Sequence, residues 1–111
     1  YNILANLYLN DDVEKALLFV DKALEIDNSN ANFFDTKGWI LSKQKNYDSA
    51  LFYLRQAFSL NSKNPSIRYH IAFVLVKLER EQEAKLELQT ALTSKAYFAE
   101  QQQAQQLLES L

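Results

Sequence analysis

Apolar residues recur along this chain at i, i+3, i+4 and i+7, the spacing that gathers one face of an α-helix. Tyr1, Leu4, Ala5 and Tyr8 open the series and predict a helix over residues 1–9. Asn10, Asp11 and Asp12 interrupt it and offer cap oxygens to a second helix, residues 13–26, with Glu14 placed to reach back to the cap. That helix carries Ala16, Leu17, Val20, Ala23 and Leu24 on one face, and residues 27–30 form a polar turn. The order then repeats. A helix over about 32–44 holds Phe33, Phe34, Gly38, Ile40 and Leu41; Lys45 and Asn46 turn the chain; a helix over 47–60 holds Ala50, Leu51, Leu54, Ala57 and Phe58. Pro65 opens a third pair, because the first turn of a helix has no use for the N–H that proline lacks. Its two helices, 65–78 and 81–94, carry Ile67, Ile71, Ala72, Leu75 and Leu78, then Ala84, Leu88, Ala91 and Leu92. A last helix over about 97–110 is rich in Gln, with Phe98, Ala104, Leu107, Leu108 and Leu111 as its apolar side.

The repetition is metric. Ala16 and Ala23, Ala50 and Ala57, Ala84 and Ala91 are three pairs in register at a period of 34 residues. A period of this length marks a solenoid, whose units cannot bury their own apolar faces and must stack on neighbours. The first helices contribute Ala5, Gly38 and Ala72, so each hairpin crosses at side chains of methyl size or less. Gly38 costs about 1 kcal/mol of helix stability relative to Ala, which points to close backbone approach there. The pattern predicts an all-α solenoid read as one domain. Its repeats cover about 1–30, 31–64 and 65–96, and a helix at about 97–110 caps the end with one apolar and one polar face.

Composition narrows the chemistry. One Gly and one Pro suit helices with short connections, and the absence of Cys excludes disulfides and thiolate chemistry. A formal net charge of −2 without a Lys/Arg cluster offers nothing to nucleic acid. The longest apolar run, residues 71–76, is far short of the roughly 20 residues that span a membrane. The chain begins at Tyr1, inside an apolar-periodic segment, and reads as a piece of a longer protein; the apolar edge at that end is a candidate for homodimer contact.

The slots Phe34, Gly38, Leu41, Ala50, Leu54 and Ala57, with Ile71, Ala72, Leu75, Ala84, Leu88 and Ala91 in the next unit, resemble the tetratricopeptide repeat. Tyr1, Leu4, Ala5, Tyr8, Ala16, Val20 and Ala23 repeat the pattern in the first unit, whose inter-helix turn is one residue short. Lys37 departs from it where Leu is usual, Arg68 where a bulky apolar residue is usual, and polar residues replace the closing Pro. The resemblance implies a right-handed superhelix in which first helices line a concave ligand groove. The residues it assigns to that groove are Asn2, Asn6, Asn32, Asp35, Thr36, Trp39, Lys43, Ser66, Tyr69, His70, Phe73 and Lys77. Stretches 35–41 and 64–72 are also similar to the C-terminal repeats of bacterial envelope proteins of this family, among them lipoproteins of exopolysaccharide export. That implies a periplasmic or outer-membrane-associated place, with the cytoplasm as the other possibility.

Trp39 and Phe73 occupy one slot of successive repeats, either as a ligand-facing pair or as part of the core between repeats. One subset of the family clamps a chaperone's C-terminal carboxylate with Lys, Asn and Arg. Here Asn6 fits that pattern, but Asn2, Thr36, Ser66 and His70 stand where the other clamp residues belong, so the cations are missing. His70 is the only His and has no companions at metal-ligand spacing, so no metal or cofactor is expected. Ser66, His70 and Asp35 come without a nucleophile elbow, and no Gly-rich loop cradles phosphate. Glu79, Glu81, Glu83 and Glu87 read as a solvated helix face. The expectation is a non-catalytic module that binds a peptide or helix of a partner protein, with a spacer or self-association segment as the alternative.

Overall fold

The computed structural model describes residues 3–5, 12–93 and 97–111, and every regular element among them is helical. After helical residues 3–5 come α1 (Val13–Ile26), α2 (Ala31–Lys43), α3 (Tyr47–Leu60), α4 (Pro65–Lys77), α5 (Glu81–Thr93) and α6 (Gln101–Glu109). Contacts gather the chain into two compact units, Tyr1–Ser62 and Lys63–Leu111. Tyr1, Asn2, Asn6, Tyr8, Asn10 and Asp11 lie outside the described residues.

The helix starts follow from side-chain oxygens. Asp12 caps α1 by accepting the Lys15 N–H at 3.1 Å. With Asp12 as the cap, Glu14 is the second helical residue, one short of the position from which a capping box closes, so it contributes first-turn charge instead. Asn30 and Asn64, one period apart, cap α2 and α4 by accepting the N–H of Asn32 and of Ser66, both at 2.9 Å. In the turn between α1 and α2, Asp27 accepts from the Ser29 hydroxyl at 2.7 Å and from its N–H at 3.0 Å. Both hydrogen bonds favour the carboxylate and hold its pKa below the ordinary value.

Among the described residues, the α2–α3 and α4–α5 hairpin turns have one construction. Lys45 and Glu79, again one period apart, adopt left-handed backbone with φ of 63° and 61°. Asn46 N–H returns to the Leu41 carbonyl at 2.9 Å and Arg80 N–H to the Leu75 carbonyl at 2.8 Å. Lys45 and Glu79 N–H groups close the inner bonds to Ser42 and Val76. This is the Schellman ending that satisfies the last carbonyls of a helix, made here without glycine.

In the first unit, Ala5, Ala16, Val20 and Ile40 form a buried cluster, flanked by Val13, Leu17 and Phe19. Across the α2–α3 hairpin, Gly38 faces Leu54 and Ala50 so closely that a Cβ on it would meet Leu54 Cγ at 2.6 Å. Lys37, where the repeat pattern has Leu, ties three helices together. Its Nζ lies 2.7 Å from an Asp21 carboxylate oxygen on α1 and 4.4 Å from the ring centre of Tyr53 on α3. Burial pushes the Lys37 pKa down, but the Asp21 hydrogen bond and charge, with Tyr53, outweigh it and leave the net shift upward.

In the second unit, α4 buries Ile67, Ile71, Ala72, Val74 and Leu75 together with Pro65, Tyr69 and His70. A helix buried on more than one side has neighbours on more than one side, and α4 packs against both α5 and α6. Opposite it, Ala84, Leu88 and Ala91 are buried on α5. Arg68, at the other departure from the repeat pattern, donates to Glu87 on α5 at 3.0 Å. The equivalent slots one period earlier, Phe34 and Tyr53, hold stacked rings 6.4 Å apart. One repeat closes its hairpin with an aromatic pair and the next with an ion pair.

The last helix begins later than the apolar spacing predicts. Residues 97–100 are not helical, and α6 starts at Gln101, whose N–H is held by the Phe98 carbonyl at 3.2 Å. Phe98 itself is buried, so it anchors the chain ahead of the helix rather than lying along its face.

Candidate functional site

Ala5, Ala16, Ala23, Gly38, Ala50, Ala57, Ala72, Ala84 and Ala91 are all buried. They are spent on packing, so any ligand face must use other positions.

On α2, Asn32 and Lys43 are exposed, Asp35 and Trp39 half-buried, and Thr36 buried. Lys43 sits one turn after Trp39 and places its Nζ 5.1 Å from the indole ring centre. Ser42 is buried between them, its hydroxyl satisfied by the Trp39 carbonyl at 2.6 Å. On α4, Lys77 is exposed and Ser66 and Phe73 half-buried, while Tyr69 and His70 are buried. Lys77 Nζ lies 5.5 Å from the Phe73 ring centre. An aromatic ring under a lysine therefore occurs twice, at the same two slots of successive first helices. Such a pair offers an apolar plate and a cation together.

The inner part of the α4 face has an occupant that the sequence pattern does not reveal. Glu100, in the turn ahead of α6, accepts the Ser66 hydroxyl at 2.7 Å. Its other carboxylate oxygen lies 3.8 Å from His70 Nε2. The Tyr69 and His70 rings stand 5.7 Å apart beside it. Burial, and then the negative charge of Glu100, push the Tyr69 phenol above its ordinary pKa. A signal for Glu100 does exist, since it stands one period after Ser66, but apolar periodicity does not score polar partners.

Two other features lie away from these faces. Leu18, Phe52 and Leu86 share one slot of the second helices and are 53%, 57% and 66% exposed. An open crevice of about 580 Å³ is lined by Leu92, Tyr97, Phe98 and Gln101 among others; among the described residues its polar lining is glutamine amides and a phenol. Among the described residues, no three His, Cys, Asp or Glu side chains are grouped to hold a metal ion, and no helix is long and apolar enough to cross a membrane.

Comparison with solved structures places this architecture. The first tetratricopeptide-repeat domain of Spaghetti (RPAP3), bound to the HSP90 peptide SRMEEVD, superposes with a TM-score of 0.86 at 17% identity, over 98% of this chain and 85% of that one. The Yersinia enterocolitica type III secretion chaperone SycD, in complex with a peptide of the translocator YopD, gives 0.82 at 22% identity, over 97% and 86%. YrrB, a repeat protein with an unusual peptide-binding site, gives 0.71 at 35% identity over 79% of this chain, which spans 46% of that one. No curated protein shows a significant match. The model of the family described as "Anaphase-promoting complex, cyclosome, subunit 3" matches residues 9–91, and with the helical-hairpin fold just described this chain belongs to that tetratricopeptide-repeat family.

Proposed function

We propose that this chain is a protein-interaction module, each of its two compact units offering a first-helix face, α2 in one and α4 in the other, to a peptide or helix of a partner. The observation that carries the reading is the doubled aromatic–lysine pair, Trp39 with Lys43 and Phe73 with Lys77. Half-buried rings give anchors for apolar side chains, and the exposed ammonium groups favour acidic ones beside them. Peptide binding by Spaghetti, SycD and YrrB supports the same use of the fold. The chain's single Trp is itself the reporter. Peptides selected from a random library on the wild-type chain should carry apolar residues next to Asp or Glu and shift Trp39 emission. They should bind Trp39→Ala or Phe73→Ala roughly tenfold or more weakly, read by the anisotropy of a dye-labelled peptide because Trp39→Ala leaves no Trp, while helical circular dichroism is retained. Peptides that bind the Trp39→Ala/Phe73→Ala double variant as tightly as wild type would move the site elsewhere.

A second reading, self-association, is favoured by the exposed Leu18, Phe52 and Leu86 and by Ile3, which is 84% exposed. Light scattering across a concentration series tests it: a constant monomer mass removes it.

A further inference from the structure

We propose that the outer side of α3 is a contact for a second copy of this chain, the two α3 helices packing antiparallel across a two-fold axis. Asp48, Phe52, Arg55 and Ser59 follow one another at i, i+4, i+7 and i+11, so they form one stripe along the helix, and all four are exposed. Phe52 is 57% exposed, its ring meeting the adjacent Tyr53 ring edge-on at 5.1 Å. The buried side of α3, with Ala50, Leu51, Leu54 and Ala57, is the one that builds the unit. Packing within the unit does not call for a phenylalanine on the opposite side.

The charges identify what covers it. Asp48 and Arg55 stand two turns apart on the stripe, with Phe52 between them. In a two-fold contact the same patch faces itself, so a residue on one side of the axis lies level with its counterpart on the other side from the second copy. An axis midway between Asp48 and Arg55 therefore sets each aspartate beside the other copy's arginine, two ion pairs from one contact. Phe52 is the stripe residue nearest that midpoint, so the two rings meet close to the axis. The partner whose charges and spacing match the stripe is the same helix run the other way.

The corresponding slots one period away lack this match. On α1 they hold Glu14, Leu18 and Asp21, and a two-fold would set acid against acid. On α5 they hold Gln82, Leu86 and Gln89, which carry no charge. An exposed apolar residue recurs on all three second helices, but of these three stripes only that of α3 complements itself. A single helix pair buries less than the roughly 1,200 Å² at which stable complexes begin, so the dimer is weak and forms at about 0.1 mM chain and above.

This inference rests on the self-association reading and narrows it to one face. Sedimentation equilibrium of the full chain, over a concentration series bracketing about 0.1 mM, tests it. Wild type should move from monomer towards dimer mass. Asp48→Arg and Arg55→Asp each set like charges together and should weaken association about tenfold or more, as should Phe52→Ala. The exchanged variant Asp48→Arg/Arg55→Asp should associate as wild type does, and so should an equimolar mixture of the two single charge variants, whose stripes complement each other. Leu18→Ala and Leu86→Ala should change nothing. All of these side chains are exposed, so helical circular dichroism should stay at the wild-type level. A constant monomer mass would overturn this inference and the self-association reading together. Association that survives both single charge variants, fails to return in the exchange or the mixture, or is lost with Leu18→Ala or Leu86→Ala would overturn this inference alone and move self-association to another face.

Discussion

Gly38→Ala tests the crossing on which the α2–α3 hairpin rests. In a free helix this change is favourable by about 1 kcal/mol, because alanine has less backbone entropy to lose than glycine. In the folded chain the new Cβ would stand 2.6 Å from Leu54 Cγ, 2.8 Å from Leu54 Cδ2 and 3.1 Å from the Ala50 carbonyl oxygen. Leu54 is fully buried, and Cγ is the branch point of its side chain, not a mobile tip. Either Leu54 leaves its rotamer or α3 backs away, and overpacking of this kind costs about 1–3 kcal/mol. Against the propensity gain, the net is a loss of up to about 2 kcal/mol.

A double-mutant cycle separates the two contributions. Leu54→Ala alone should cost about 2–5 kcal/mol through lost burial and the cavity it leaves. In the Gly38→Ala/Leu54→Ala variant the added methyl enters that space and the clash is gone, so only the propensity gain remains. The double variant should therefore be more stable than the sum of the singles by at least about 1 kcal/mol. Urea unfolding followed by circular dichroism reads all four corners. Should Gly38→Ala alone stabilise the chain by the full propensity gain, the crossing is looser than the distances require and the steric account of the small residues fails.

Three further outcomes follow from the same geometry. Exchanging Arg68 and Glu87 for Phe and Tyr, the residues one period earlier, should cost about 1–2 kcal/mol for either single change, because each leaves one half-buried partner mismatched. The double change should cost less than the sum, as urea unfolding will show. Lys45→Gly and Glu79→Gly should each raise stability by roughly 0.5–1 kcal/mol, since relief of the left-handed backbone exceeds the added entropy of the unfolded chain; lower urea midpoints would contradict it. Tyr69 is held neutral in the fold, by burial first and then by Glu100, with its pKa above the ordinary 10.0. Below that pH both states carry the neutral phenol and stability is intact; as pH rises from there through the folded value, the unfolded chain ionises first and stability falls. Tyr69→Phe should make melting temperature decline less steeply above pH 10 than in wild type, and an unchanged slope would count against the argument.

The helical hairpins are legible because packing speaks in small and apolar residues at a period of 34, and the chain states that message more than once. Polar satisfaction speaks differently. Lys37 reads from sequence as a charge in an apolar slot; only the fold shows that Asp21, 16 residues before, and Tyr53, 16 residues after, converge on it. Arg68 is the same case, a departure whose complement lies on the opposite helix at Glu87. Glu100 is hidden for a further reason. Its partner Ser66 lies a full repeat away, and its own surroundings look like the start of a helix, with Phe98 mimicking the first apolar residue of that helix. In the fold Phe98 is buried ahead of the helix, and α6 starts only at Gln101. Asn2 and Asn6, assigned to the ligand face by family pattern, lie outside the described residues.

Comparing the two complete hairpins slot by slot separates what the fold needs from what it leaves open. The capping pair Asn30 and Asn64 and the left-handed pair Lys45 and Glu79 keep one geometry in both, because a helix end must satisfy its backbone whatever surrounds it. Phe34 with Tyr53 and Arg68 with Glu87 keep only the requirement that two facing side chains suit each other, and change chemistry together. Trp39 with Lys43 and Phe73 with Lys77 fit neither class. Each pair lies within one helix, and both keep one chemistry, an aromatic ring under a cation at a partly open position. The ligand proposed above, with apolar and acidic groups, would use both features, so these four residues are the first to mutate in any search for a partner.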